Sequence, residues 1–104
     1  MEQILVYITT ADRAEAEKIA SALVEERLAA CANILDGVQS IFHWQGKIEN
    51  SREALCLLKT TKSNFAALNS RVLELHSYET PCVVALPLSD GNPSFLNWIT
   101  ASCR

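Results

Sequence analysis

The chain has 104 residues, 49% hydrophobic and 20% charged, with only three Gly and three Pro; such a chain buries roughly two-thirds of its unfolded surface in one core, and disordered, collagen-like and low-complexity classes are excluded. The net charge is -3 and the nine Lys and Arg are scattered singly, so no basic stripe exists to neutralise a phosphate backbone and nucleic acid is not an expected partner. Cys31, Cys56, Cys82 and Cys103 are far apart with no C-x-x-C pair, which reads as reduced thiols rather than a disulfide framework.

Met1-Glu2-Gln3 leads into Ile4-Leu5-Val6-Tyr7-Ile8, an apolar run too short for a signal-peptide core or a membrane span. The expectation is a cytoplasmic protein without membrane contact. The same run is β-branched-rich and reads as a central strand. Asp12 with Glu15 three residues on forms a capping box. Ala16, Ile19, Ala20, Leu23 and Val24 then recur at one-turn spacing and mark the buried stripe of a first helix.

Cys31-Ala32-Asn33-Ile34-Leu35, the Asp36-Gly37 turn signal and Val38 to Trp44 read as a long second strand bent near Gly37. Gln45-Gly46 supplies a tight hairpin, and the returning strand runs from Lys47-Ile48-Glu49 to Ala54 through Thr60. A second helix begins near Ser63, with Phe65, Leu68, Val72 and Leu75 on one face, and ends by His76-Ser77. Val83 to Leu86 is a short strand between prolines, and Asn92-Pro93 starts a terminal helix carrying Phe95, Leu96, Trp98 and Ile99.

The order βαββαβ plus a short C-terminal helix gives an α+β, ferredoxin-like fold with an antiparallel sheet and one domain over residues 1–104. The hairpin from about Val38 to Ala54 is longer than one small sheet and two helices can cover. Trp44, Phe42 and Ile48 are therefore exposed on a lone subunit, which implies an oligomer interface.

Few residues carry a chemical signal. His76 ends a helix ahead of Ser77-Tyr78-Glu79-Thr80-Pro81, so imidazole, phenol and carboxylate share one loop; it reads either as a metal ligand or as a favourable helix C-terminal contact. Cys31 reads as a thiolate ligand or as a packed core thiol. Cys56 and Cys82 sit in apolar strand contexts and read as buried. Lys59, at the end of an apolar strand, reads as an anion-binding amine or a solvated strand end. His43 reads as a surface or interface residue. With no G-x-G-x-x-G, Walker loop, G-x-S-x-G elbow or H-E-x-x-H, cofactor and triad enzymes are not expected.

Taken together, Glu26 to Ile34, Trp44-Gln45-Gly46-Lys47-Ile48, Leu58-Lys59-Thr60, His76 to Pro81 and Phe95 to Ile99 resemble the signature blocks of the CutA family, the divalent-cation tolerance proteins. The resemblance runs over nearly the whole chain, in order. It implies a cytoplasmic homotrimer with a fold similar to the PII signalling proteins, assembled through its long hairpins, and tolerance of copper and other divalent cations without an established reaction. It also implies inter-subunit clefts gathering Cys31, Asn33, Lys59, His76, Tyr78 and Glu79. The copper ligands associated with the bacterial pattern fall at Ile8, Leu75 and His76, two of which are apolar here.

The expectation is thus a non-enzymatic metal-response protein with no required cofactor, binding copper or another divalent cation through His76 with Cys31 or Glu79. The alternative is a PII-like sensor holding a small anionic ligand against Lys59, Asn33 and Tyr78. A third reading is a structural protein whose trimeric surface positions a partner.

Overall fold

A computed structural model describes residues 2–104. Its elements are β1 (Gln3–Thr10), α1 (Arg13–Glu25), β2 (Cys31–Trp44), β3 (Lys47–Thr61), α2 (Phe65–Leu75), β4 (Val83–Pro87) and α3 (Pro93–Ser102), with a single 3-10 turn at Lys62–Asn64 before α2. The sheet order is β2-β3-β1-β4 and every pairing is antiparallel, as a ferredoxin-like βαββαβ chain requires.

Alternation along β1 decides where the core lies. Ile4, Val6 and Ile8 are buried against Ala16, Ile19, Ala20 and Leu23 of α1 and Leu68 and Val72 of α2. Leu5, Tyr7 and Thr9 point to the outer face and are only half-buried, so in one subunit the strand is covered on one side. Val24, counted in the helical stripe, is instead exposed: it lies at the margin of the apolar face, where the helix turns away from the sheet. The α3 helix buries Ile99 alone, while Phe95 and Trp98 stay exposed and stack on each other. Gln3 Nε2 ties this helix to β1 by donating to Thr100 Oγ1 at 3.0 Å.

The bend in β2 is a bulge between Leu35 and Val38, with Gly37 at φ 69°. A side chain rarely adopts that conformation, which is why glycine stands there. Beyond the bulge the β2–β3 ribbon continues alone to the Gln45-Gly46 turn, where both residues have positive φ, 50° and 78°. The molecule is consequently elongated, 44 × 25 × 22 Å. Every residue from Ile41 to Arg52 is exposed.

Candidate functional site

The sheet parity sorts the hairpin into two walls. Ser40, Phe42 and Trp44 of β2 share one side with Glu49, Ser51 and Glu53 of β3, and that side continues the outer face of the sheet. Ile41 and Ile48 fall on the opposite side, so Trp44 and Phe42 do not form one patch with Ile48. Opposite the first wall lies the turn after α2. Between them runs a groove of about 740 Å³ whose lining includes Phe42, Trp44, Glu49, Glu53, Tyr78 and Glu79, with Thr9 and Cys82 on its floor and side.

The turn is held by three side chains. His76 caps α2, its own N–H donating to the Val72 carbonyl at 2.8 Å. Its ring is fully enclosed, 0% exposed. Nε2 lies 2.8 Å from the Thr9 carbonyl, and Nδ1 accepts the Tyr78 N–H at 3.1 Å. That pattern assigns the proton to Nε2, because a carbonyl accepts and an N–H donates. Both ring nitrogens are therefore occupied, and the imidazole acts as a clamp between β1 and the turn.

Glu15 is the second clamp. Its N–H is capped by Asp12 Oδ1 at 2.8 Å, as the capping box predicts, but the returning carboxylate reaches one residue further back, to the Ala11 N–H at 2.9 Å. Its other oxygen accepts the Ser77 N–H at 2.7 Å. Burial alone raises the Glu15 pKa, yet the hydrogen bonds from Ala11 and Ser77 outweigh it and hold the carboxyl below its usual range.

The third is Tyr78, whose hydroxyl donates to Glu53 Oε2 at 2.6 Å. Burial first, and then the bond to the Glu53 carboxylate and its charge, push the phenol far above its ordinary pKa. Glu53 itself is only 7% exposed. Among the described residues no cation lies within ion-pair distance of it.

Cys31, Asn33 and Lys59 form a separate group at the other end of the outer face. Lys59 Nζ donates to Asn33 Oδ1 at 2.8 Å and lies 3.9 Å from Cys31 Sγ. Cys31 faces Lys59, which faces Leu5, whereas His76 bonds Thr9. Four strand residues separate the two levels, about 13 Å. One subunit thus brings His76 near Tyr78 and the start of the Glu79 turn and leaves Cys31 apart. Among the described residues no group of three His, Cys, Asp or Glu side chains could hold a metal ion. Ile8 is fully buried and Leu75 packs against the core, as their apolar character demands. Cys82 is half-buried rather than enclosed, because it precedes β4 at the sheet edge; Cys56 alone is fully buried.

Glu53 and the second role of Glu15 are not singled out by the sequence. Glu53 had one signal, an acid at the boundary between the polar hairpin and the buried run beginning at Ala54, with odd-position parity toward the outer face. The Thr9 carbonyl leaves no trace in residue type.

Residues 4–102 match the family described as CutA1 divalent ion tolerance protein. A divalent-cation tolerance protein CutA from Thermus thermophilus is 48% identical over 99 residues, 95% of each chain, and a solved Thermus thermophilus structure superposes with a TM-score of 0.96 at 45% identity, covering 98% of this chain and 99% of that one. A chloroplastic CutA protein of Arabidopsis thaliana is 39% identical over 97% of this chain, which spans 56% of that longer protein. A structure from Archaeoglobus fulgidus, described as a periplasmic divalent cation tolerance protein, superposes with a TM-score of 0.93 at 42% identity over 96% of this chain and 97% of that one. Chloroplastic and periplasmic relatives correct the expectation of a cytoplasmic protein: compartment varies among chains of this fold and does not follow from a short apolar N-terminal run.

Proposed function

The chain belongs to the CutA1 divalent ion tolerance family, and from that premise we propose that it is a non-catalytic cation-response protein that works as a homotrimer and binds a divalent cation weakly in clefts between subunits. The observation that carries this reading is the groove, where Glu49, Glu53 and Glu79 line a surface walled by exposed aromatics. Glu79 is the accessible carboxylate of the turn that His76 and Glu15 hold in place. Since the described residues of one subunit supply no complete ligand set, the site we propose is completed by a second subunit, and copper or another divalent cation joins carboxylates across the cleft. Cys31 enters such a site only from a neighbouring chain.

Self-association is supported by the outer face and the hairpin. Leu35, Val84, Leu86 and Trp44 are large apolar side chains left exposed on one subunit, and β2 and β4 are free edges of the sheet. Surfaces of this kind bury themselves against further copies. A second reading, an anionic ligand at Lys59, is favoured by an ammonium that has Asn33 and no carboxylate beside it among the described residues. Tyr78 lies with Glu53, six residues along β3 from Lys59, so that reading now rests on Lys59 and Asn33 without the phenol.

The test is calorimetric titration of copper, zinc and manganese into the protein and its Glu79→Gln variant, with mass measured by light scattering. Saturable binding by a trimer, weakened about tenfold in Glu79→Gln, is the expected result. A monomer, or a trimer that binds none of the three metals, overturns the reading; stabilisation by phosphate or carboxylate ligands alone favours Lys59.

A further inference from the structure

Asp-Gly occurs twice in the chain, at Asp36-Gly37 and Asp90-Gly91. The dipeptide carries its own chemistry: a glycine has no Cβ to hinder its amide nitrogen from attacking the preceding side-chain carboxyl carbon and closing a succinimide ring.

The structure separates the two sites. Asp36 and Gly37 are exposed residues of the bulge, and neither has a Cα partner on β3, because the register passes from Leu35 to Val38. The Gly37 N–H donates to Asp36 Oδ1 at 2.7 Å, which sets the carboxyl against the nitrogen that attacks it. Gly37 has φ 69°, and nothing lies within 4 Å of the place a Cβ would take, so the peptide has room to rotate over the carboxyl. Both residues also line a hollow of about 490 Å³ shared with Arg52, which admits the water that completes the reaction.

Asp90 and Gly91 have the contact without the freedom. The Gly91 N–H donates to Asp90 Oδ1 at 3.0 Å, but a Cβ on Gly91 would lie 3.2 Å from Leu96 Cδ2. The next residue, Asn92, is fixed as the cap of α3, accepting the Ser94 N–H at 3.2 Å. Rotation of the Gly91 peptide therefore works against α3.

We infer that Asp36 is a site of spontaneous backbone modification, where the bulge converts aspartate to isoaspartate through a succinimide. The Gly37 nitrogen bonds to Asp36 Cγ, and the bond from Cγ to one carboxyl oxygen breaks; that oxygen leaves as water, taking the amide proton and the carboxyl proton. Water then adds at either ring carbonyl. Breaking the Cγ–N bond restores aspartate, whereas breaking the bond between the Asp36 main-chain carbonyl carbon and that nitrogen leaves the chain running through Cγ. No electrons are transferred, and water is the sole co-reactant. The product carries an additional main-chain carbon at the bulge, where an extra residue already sets which side Trp44 and Ile48 occupy, so isomerisation disturbs the register of the ribbon beyond it.

The test is incubation of the full chain in heavy-oxygen water at neutral pH and physiological temperature, then transfer to ordinary water, tryptic digestion and peptide mass mapping. Ring opening places one heavy oxygen in the peptide, and the isoaspartyl form separates chromatographically from its parent. In the folded protein the Asp36 peptide should label about tenfold faster than the Asp90 peptide, through better orientation of the reacting atoms. In urea the two Asp-Gly pairs are equally free, and their rates should converge. Asp36→Glu keeps the charge but lengthens the side chain beyond a succinimide, so it should abolish labelling there and leave the Asp90 peptide unchanged. The comparison of the two wild-type peptides does not depend on that variant folding. No label at Asp36, label without an isoaspartyl form, labelling no faster than at Asp90 in the folded protein, or the same ratio in urea overturns the inference.

Discussion

The hydroxyl of Tyr78 donates a 2.6 Å hydrogen bond to Oε2 of Glu53, joining the turn after α2 to the point where the hairpin leaves the sheet. Tyr78→Phe removes that donor and leaves a carboxylate that is 7% exposed with no donor among the described residues. The expected loss is about 1–3 kcal/mol, read as a lower urea midpoint at pH 7. The phenol adds an alkaline limb: its pKa is raised above the ordinary value of 10.0 by burial and then by Glu53. A raised pKa contributes stability that is full below pH 10 and declines above it, as the unfolded chain ionises first. The decline should be shallower in Tyr78→Phe, and an identical alkaline limb in both proteins would refute the assignment.

Glu15 works in the opposite direction of pH. Its carboxyl is held below the ordinary 4.5 although burial alone raises it, because Ala11 and Ser77 donate to the ionised form. Its contribution is therefore complete above pH 4.5 and is lost as pH falls through the lower folded value. Glu15→Gln should cost about 1–3 kcal/mol at pH 7 and narrow the difference from wild type at pH 3. Urea unfolding at the two pH values checks this; a constant difference would mean that the carboxylate charge plays no part.

The βαββαβ order was legible because each strand and helix has its own period, and the overlong hairpin because nothing in the chain could cover Phe42, Trp44 and Ile48. The bulge announced itself through Asp36-Gly37. What could not be read was parity after the bulge: one extra residue in β2 sets which side Trp44 and Ile48 occupy, and they fall on opposite sides. His76 was visible as a helix terminator, but its partners are a backbone carbonyl 67 residues away and a neighbouring N–H, and neither depends on residue type. The same holds for Glu15, whose capping role was evident and whose bond to Ser77 requires α1 and α2 to be packed side by side.

The cysteines separate by burial. Cys56 is enclosed, with Sγ 3.3 Å from the Ala16 carbonyl, and burial followed by the charge of Glu15 pushes its thiol from 9.0 up to about 11. Two units of pKa mean about 100-fold less thiolate at a given pH below 9. With a thiol reagent at pH 8, Cys56 should be the last to react, while Cys31, Cys82 and Cys103, all half-buried, react ahead of it. Labelling of Cys56 as fast as the other three would show that the core opens readily.

The hairpin offers a test of which of its sides meets another copy. Trp44 is 41% exposed toward the groove and Ile48 is 66% exposed on the opposite side, so truncating either removes little buried surface within one subunit. A large effect must then come from contacts between chains. If the groove side packs in the assembly, Trp44→Ala should cost up to about 3–5 kcal/mol, the range for truncating a buried aromatic, and should shift light-scattering mass toward the monomer on dilution. Ile48→Ala should do so only if the far side is also covered.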